Sequence, residues 1–179
     1  MTAFILVAGA HTGGWIWREV AARLREAGDR VHPVTLTGMG GRSAAAGPGT
    51  DLEAHIGELL ELIDRTDAAE VVLVGHCYGV YPVLGAADRR PGRIARIVLL
   101  DTGMPQHGDR ALALVPDPTL RDRLAQRAEA DEDGWRVPRR RARSGGAGAA
   151  PTASRPRPWT GWRRTPYRSP PAPSPSRCA

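Results

Sequence analysis

The sequence predicts an α/β fold: a parallel sheet with flanking helices, followed by a disordered tail rich in Arg and Pro. Stretches that read as strands recur at residues 4–7, 31–36, 71–74 and 94–100. Between them lie segments whose apolar residues follow helical spacing. Near residue 138 both patterns stop and the composition changes abruptly. Strands alternating with helices pack as parallel strands joined by right-handed crossovers. In such sheets ligands bind beyond the carboxyl ends of the strands.

Phe4-Ile5-Leu6-Val7 is apolar at every position, the pattern of a strand buried on both faces. Residues 8–14 are a flexible, glycine-rich loop, and 15–27 an amphipathic helix ended by Gly28. Residues 31–36 give the second strand and 37–41 a second glycine-rich loop. After a Gly/Ala/Pro linker, Thr50 or Asp51 caps a helix that reaches about Arg65. Its apolar face is Leu52, Ile56, Leu59, Leu60 and Ile63. His32 and His55 fall within a strand and a helix and read as surface or packing residues. Val71-Val72-Leu73-Val74 is β-branched and too short for a helix, so it is the third strand. A tight turn at 75–79 leads into a helix over 80–87, with Pro82 near its start, where a missing N–H costs little. Residues 94–100 form the fourth strand, ending at Asp101, and 119–130 a charged helix with Leu120 and Leu124 on one side.

Charge divides at the same boundary as composition. Residues 138–179 hold ten Arg and no acid, whereas 1–137 hold fifteen Arg against nineteen acids. The net charge of +6 therefore joins an acidic body to a basic tail. Pro, Arg, Ala, Ser and Gly make up thirty-five of the last forty-two residues, and Val, Ile, Leu, Met and Phe are absent there. No core can form from such a segment. Lys and Asn are missing from the whole chain, the mark of a GC-rich coding sequence, and the tail is what such DNA yields out of frame. Out-of-frame translation is the expectation. The rivals are a solvated tail and an Arg-rich tail binding nucleic acid, with Trp159, Trp162 and Tyr167 stacking on bases; nucleic acid is not the expected partner.

Two cysteines, Cys77 and Cys178, make no disulfide framework, and Cys77 reads as a free thiol in a reducing compartment. The apolar run at 3–8 has no basic residue before it and is a strand rather than a signal peptide. Nothing later approaches membrane-spanning length. The body is expected to be cytoplasmic.

Gly75-His76-Cys77-Tyr78-Gly79 carries the chemistry. It fits the G-x-nucleophile-x-G turn, with Cys where Ser usually stands. The central residue is held in a strained conformation that lifts its side chain into the open, and side chains at Gly75 and Gly79 would collide with neighbouring elements. The bland alternative is an inert cysteine buried in a tight turn. The strand before and the helix after favour a nucleophile elbow.

Four stretches, in order, carry a resemblance. They are Phe4-Ile5-Leu6-Val7-Ala8-Gly9-Ala10 with Gly13-Gly14-Trp15-Ile16-Trp17, then Thr35-Leu36-Thr37-Gly38-Met39-Gly40-Gly41-Arg42-Ser43, the elbow, and Ile97-Val98-Leu99-Leu100-Asp101. Together they resemble the α/β-hydrolase superfamily, in particular its small esterase and hydroxynitrile-lyase-like branch. The likeness covers about residues 3–137. It implies the N-terminal part of an α/β-hydrolase fold over 1–137, with a cap region starting at about 116–137 and the tail 138–179 outside it. It also implies acyl transfer on small esters or related carbonyl compounds, without a cofactor or metal. By position Cys77 is the nucleophile, and the backbone N–H groups of Tyr78 and Ala10 form the oxyanion hole.

The sequence departs from that pattern in three places. Cys77 replaces Ser and needs a lowered pKa, which the following helix N-terminus can supply. Ala8-Gly9 stands where His-Gly is common. The family's acid and His base lie beyond position 137, and the last histidine here is His107. The chain is therefore expected to be inactive or weakly active. His11 and His107 are fallback bases and Asp101 a fallback acid, although an exposed loop histidine and a loop-capping aspartate are the plainer readings. His76 is expected to be structural, pointing away from Cys77.

Lyase chemistry on the same scaffold stays open, since fold does not fix chemistry. A nucleotide-binding module is disfavoured, because the loop at 9–14 lacks G-x-G-x-x-G and no acid ends the second strand. The remaining alternative is a non-catalytic binding protein with a degenerate hydrolase body and a basic tail.

Overall fold

The computed structural model describes residues 2–106, 108–109 and 111–130. Four strands, β1 (Ala3–Val7), β2 (Arg30–Val34), β3 (Val71–His76) and β4 (Ile94–Leu100), form one parallel sheet in the order β2-β1-β3-β4. The chain winds outward from β1 to β2, then crosses back to place β3 on the other side of β1. That reversal opens a crevice at the carboxyl ends of β1 and β3, the place where parallel α/β sheets bind ligands.

Alternation along the strands sends side chains to two cores, one on each face. Ala3, Ile5 and Val7 of β1 and Val71 and Leu73 of β3 pack against α2 (Leu52–Arg65) and α3 (Val80–Arg89). Leu6, Val72 and Val74 face the other way, onto Trp17 and Ala21 of the first helical segment. That segment begins as a 3₁₀ turn, Gly14–Trp17, and continues as α1 (Arg18–Glu26). The tighter first turn buries Trp17 and leaves Trp15 61% exposed. The α2 and α3 helices approach so closely that a Cβ at Gly85 would overlap the Ile56 side chain.

Details of the edges follow from composition. Pro33 lies inside β2, which a proline tolerates because β2 is an edge strand. β2 ends at Val34, two residues short of the predicted limit, and β3 runs two residues further, to His76. Leu52, expected on the apolar face of α2, is instead 37% exposed: it is the first residue of the helix and lies short of the sheet. The Asp51 side chain caps this helix by accepting from the Ala54 N–H at 2.9 Å. Its other end is tied down by Arg93, whose guanidinium donates to the carbonyls of Ile63, Thr66, Ala68 and Ala69.

β4 is joined to β3 with a register shift between Val71 and Val72, which leaves Ala95 as an extra residue. Among the described residues nothing pairs with its outer edge. Ala95, Arg96 and Leu100 are exposed. A fourth helix, α4 (Pro118–Glu129), is capped by Asp117. No helix among the described residues is long and apolar enough to cross a membrane. His107, the end of the cap region and the whole segment 138–179 lie outside the described residues.

Candidate active site

The turns that follow β1, β2, β3 and β4 lie at the carboxyl ends of the parallel strands. Among the described residues three other than glycine have positive φ: His11 (60°), Cys77 (51°) and Asp101 (50°). Each follows the carboxyl end of a strand, on a different loop. Left-handed backbone is disfavoured for residues with a Cβ, and such outliers gather at functional sites.

At the elbow, β3 turns into α3 through a single 3₁₀ turn, Cys77–Gly79. The glycines are demanded by close approach. A Cβ on Gly75 would stand 2.9 Å from Val80 Cα, and one on Gly79 2.8 Å from the Val7 carbonyl oxygen. Cys77 itself is an exposed, free thiol.

The loop after β1 lies directly against this turn. A Cβ on Gly9 would stand 2.8 Å from Cys77 Cβ, so only glycine lets the two backbones come so near. The Thr12 hydroxyl donates to the Gly9 carbonyl at 2.7 Å, closing the loop on itself. Its outer side is held by the turn after β2. The His11 N–H donates to Met39 Sδ at 3.4 Å, and the Gly14 N–H to Thr35 Oγ1 at 2.7 Å. Ala10 follows Gly9 on this loop, and Tyr78 follows Cys77 in the elbow.

Behind the elbow stands a buried chain of hydrogen bonds. His55 of α2 is 3% exposed, its Nε2 is 2.8 Å from the Thr37 carbonyl oxygen, and its Nδ1 is 2.8 Å from the Tyr78 hydroxyl. A carbonyl only accepts, so Nε2 carries the proton; in the neutral ring Nδ1 then accepts from Tyr78. Burial, with smaller contributions from the charges of Asp51 and Tyr81, pushes the Tyr78 phenol up to about 12, so at neutral pH it remains a donor. Thr37 is held at its other end as well, its N–H donating to Glu58 Oε1 at 3.1 Å. The second Glu58 oxygen accepts from Arg42 at 2.8 Å. Burial alone would raise the Glu58 carboxyl, but the bonds from Thr37 and Arg42 outweigh it and hold the group below its ordinary range.

Sequence reasoning passed over His55 as a surface or packing residue. It stands with Ile56, Leu59 and Ile63 among the residues α2 buries. A polar residue in a buried helical stripe is the signal that it has partners.

His76 leads away from the nucleophile position toward the other face. Its ring meets Trp17 edge-on at 6.2 Å, and among the described residues its buried Nδ1 has no hydrogen-bond partner. Its Nε2 lies 3.9 Å from Asp101 Oδ2, beyond hydrogen-bonding distance, and the Asp101 side chain is 91% exposed. Of the fallback candidates, His11 stands on the loop against the elbow, Asp101 beside His76, and His107 outside the described residues. Among the described residues no group of three His, Cys, Asp or Glu side chains is arranged to hold a metal ion.

The sequence matches the Alpha/beta hydrolase family over residues 4–177. A carbendazim hydrolyzing esterase from Nocardioides sp. (strain SG-4G) is 45% identical over 116 residues, 65% of this chain and 48% of that protein. Esterase PIR7B of Oryza sativa subsp. japonica is 34% identical over 104 residues, 57% of this chain and 39% of that protein. Among solved structures, a methylesterase from Arabidopsis superposes with a TM-score of 0.54 at 28% identity, over 61% of this chain and 47% of that one. An extracellular alpha/beta-hydrolase from a Paenibacillus species gives a TM-score of 0.64 at 24% identity, a likeness of fold, over 73% of this chain and 52% of that one. The chain thus spans about half or less of the length of the curated relatives it matches.

Proposed function

The chain belongs to the alpha/beta hydrolase family, and from that premise we propose that it performs acyl transfer on small esters through Cys77. The observation that carries the proposal is the Cys77 thiol, exposed at positive φ with the Gly9 backbone packed against its Cβ. In this reading the thiolate attacks the ester carbonyl, and the N–H groups of Tyr78 and Ala10 receive the charge that develops on oxygen. Backbone donors suit the task because they are already oriented and need no reorganisation. The relatives named as esterases support the substrate class. No cofactor enters the reaction, and a free thiol nucleophile fits a reducing compartment such as the cytoplasm.

Deacylation is the weak step. Water needs a base, and His76 turns its ring onto Trp17, away from Cys77, with Asp101 3.9 Å from its Nε2. We therefore expect a burst of acylation followed by slow or absent turnover, in a domain that spans 1–137 with the tail 138–179 taking no part. The test is p-nitrophenyl acetate with mass analysis of the product. One acetyl group should appear on Cys77, and Cys77→Ala should remove the burst. A burst that survives in that variant would overturn the proposal. The loose His76–Asp101 approach favours a second reading, a binding protein without catalysis, in which Cys77→Ala leaves ligand affinity untouched.

A further inference from the structure

We infer that His55 is a positioning residue: through the Tyr78 ring it holds the Tyr78 N–H, the proposed oxyanion donor, in register with Cys77. The inference rests on the acyl-transfer reading of Cys77.

The peptide that carries this N–H joins Cys77 to Tyr78, so its direction is set by the strained dihedral of Cys77 on one side and by Tyr78 on the other. Left alone, a residue at positive φ gains by relaxing, and relaxation would turn that peptide. The strain and the net strength of a buried hydrogen bond are of the same order, so an anchor on the ring is enough to oppose it. The anchor is the 2.8 Å bond between the Tyr78 hydroxyl and His55 Nδ1, with the two rings edge-on at 5.6 Å.

The His55 ring is fixed in turn. Its Nε2 donates to Thr37, whose own N–H is taken by Glu58, one turn further along α2. The relay therefore begins and ends on one rigid helix. A residue serving only to fill this place would be apolar, like Ile56 and Leu59 beside it, because a buried imidazole has two nitrogens to satisfy. Here both are satisfied, one by the elbow and one by the loop after β2.

The experiment compares two reactions of Cys77 in the full chain carrying Cys178→Ser. With p-nitrophenyl acetate the thiolate, its proton already lost to buffer, adds to the carbonyl carbon. The C–S bond forms, the ester C–O bond breaks, and p-nitrophenolate leaves with the electron pair. This reaction uses an oxyanion donor. With iodoacetamide the thiolate displaces iodide and no oxyanion develops.

His55→Gln keeps a donor toward Thr37 but no acceptor at the Nδ1 position, whereas His55→Asn keeps that acceptor. Gln at 55 and Tyr78→Phe should each slow acylation by about tenfold, the direction seen when an oxyanion donor is misplaced. Alkylation should stay within about twofold, since thiolate availability alone governs it. Asn at 55 should restore most of the acylation rate. Acylation that is equal in all variants, or that falls in step with alkylation, overturns the inference. So does an Asn variant as slow as the Gln variant. Amide hydrogen exchange over residues 75–79 gives a second measure, expected to quicken with Gln and Phe but not with Asn. If the parent chain alkylates without acylating, the acyl-transfer reading fails, and the exchange data alone decide whether His55 holds the elbow.

Discussion

At Gly79 a methyl group would meet the carbonyl oxygens of Val7 and Ala8 at 2.8 and 2.9 Å, both belonging to buried residues of the central strand and its exit. Neither backbone can retreat without breaking the sheet, so Gly79→Ala should destabilise the fold by about 3 kcal/mol, the upper range for overpacking. Gly92, with nothing within 4 Å of its missing Cβ, is the control, and Gly92→Ala should leave the thermal midpoint nearly unchanged. Equal midpoints for both variants would show that the elbow is looser than the contacts imply. Such single-residue demands were legible in the sequence where spacing exposes them: Gly75 and Gly79 bracket Cys77, and the motif alone required both to be small. Gly9 was not legible in the same way. Its constraint comes from Cys77, sixty-eight positions along the chain, and no local pattern announces a contact of that kind.

The element that organises the site is α2. It supplies His55 to the elbow, Glu58 to the loop after β2, and Ile56, Leu59 and Ile63 to the core. Local pattern gave this helix, narrowed its cap to Thr50 or Asp51, and gave Ile56, Leu59 and Ile63 of its buried stripe, because those depend on neighbours within a turn or two. The partners of His55 and Glu58 depend on which loops the sheet order brings above the helix, and that order is a property of the crossover rather than of the segment. The Glu58 contacts have a pH signature. Its carboxyl sits below its ordinary 4.5 in the fold, so the unfolded chain takes up that proton first as pH falls. The stabilisation is complete above about 4.5 and is lost as pH drops through the lower folded value. Because the Arg42 side chain is half exposed, the pair is screened and contributes about 1 kcal/mol or less. Glu58→Gln should therefore flatten the acid limb of a urea-unfolding series while changing stability little at pH values near 3. An unchanged acid limb would place that proton uptake on another carboxylate.

At the scale of the whole molecule, the described residues form a sheet finished on one side only. β2 is a short edge blunted by Pro33, but β4 offers seven residues of mostly aliphatic strand with no described neighbour on its outer side. Unpaired aliphatic edges recruit other strands. The chain on its own should therefore associate with rising concentration in analytical ultracentrifugation; a monomer that melts cooperatively at every concentration would contradict this. The sequence made the α/β class and the strand–helix order plain, and with them the crevice, since parallel strands put all their exits at one end. The elbow motif announced the strained backbone of Cys77, but the sequence could not reveal that His11 and Asp101, on two other loops, would share it. Each is a position where glycine would ease folding, by about 1 kcal/mol or more, while erasing a side chain. A lineage released from selection for chemistry would be free to drift to glycine at all three, and one still under selection would resist most strongly at Cys77. The backbone at this end of the sheet thus carries a record of use: the descendants of this gene would show, by which of the three they keep, whether the site is still maintained.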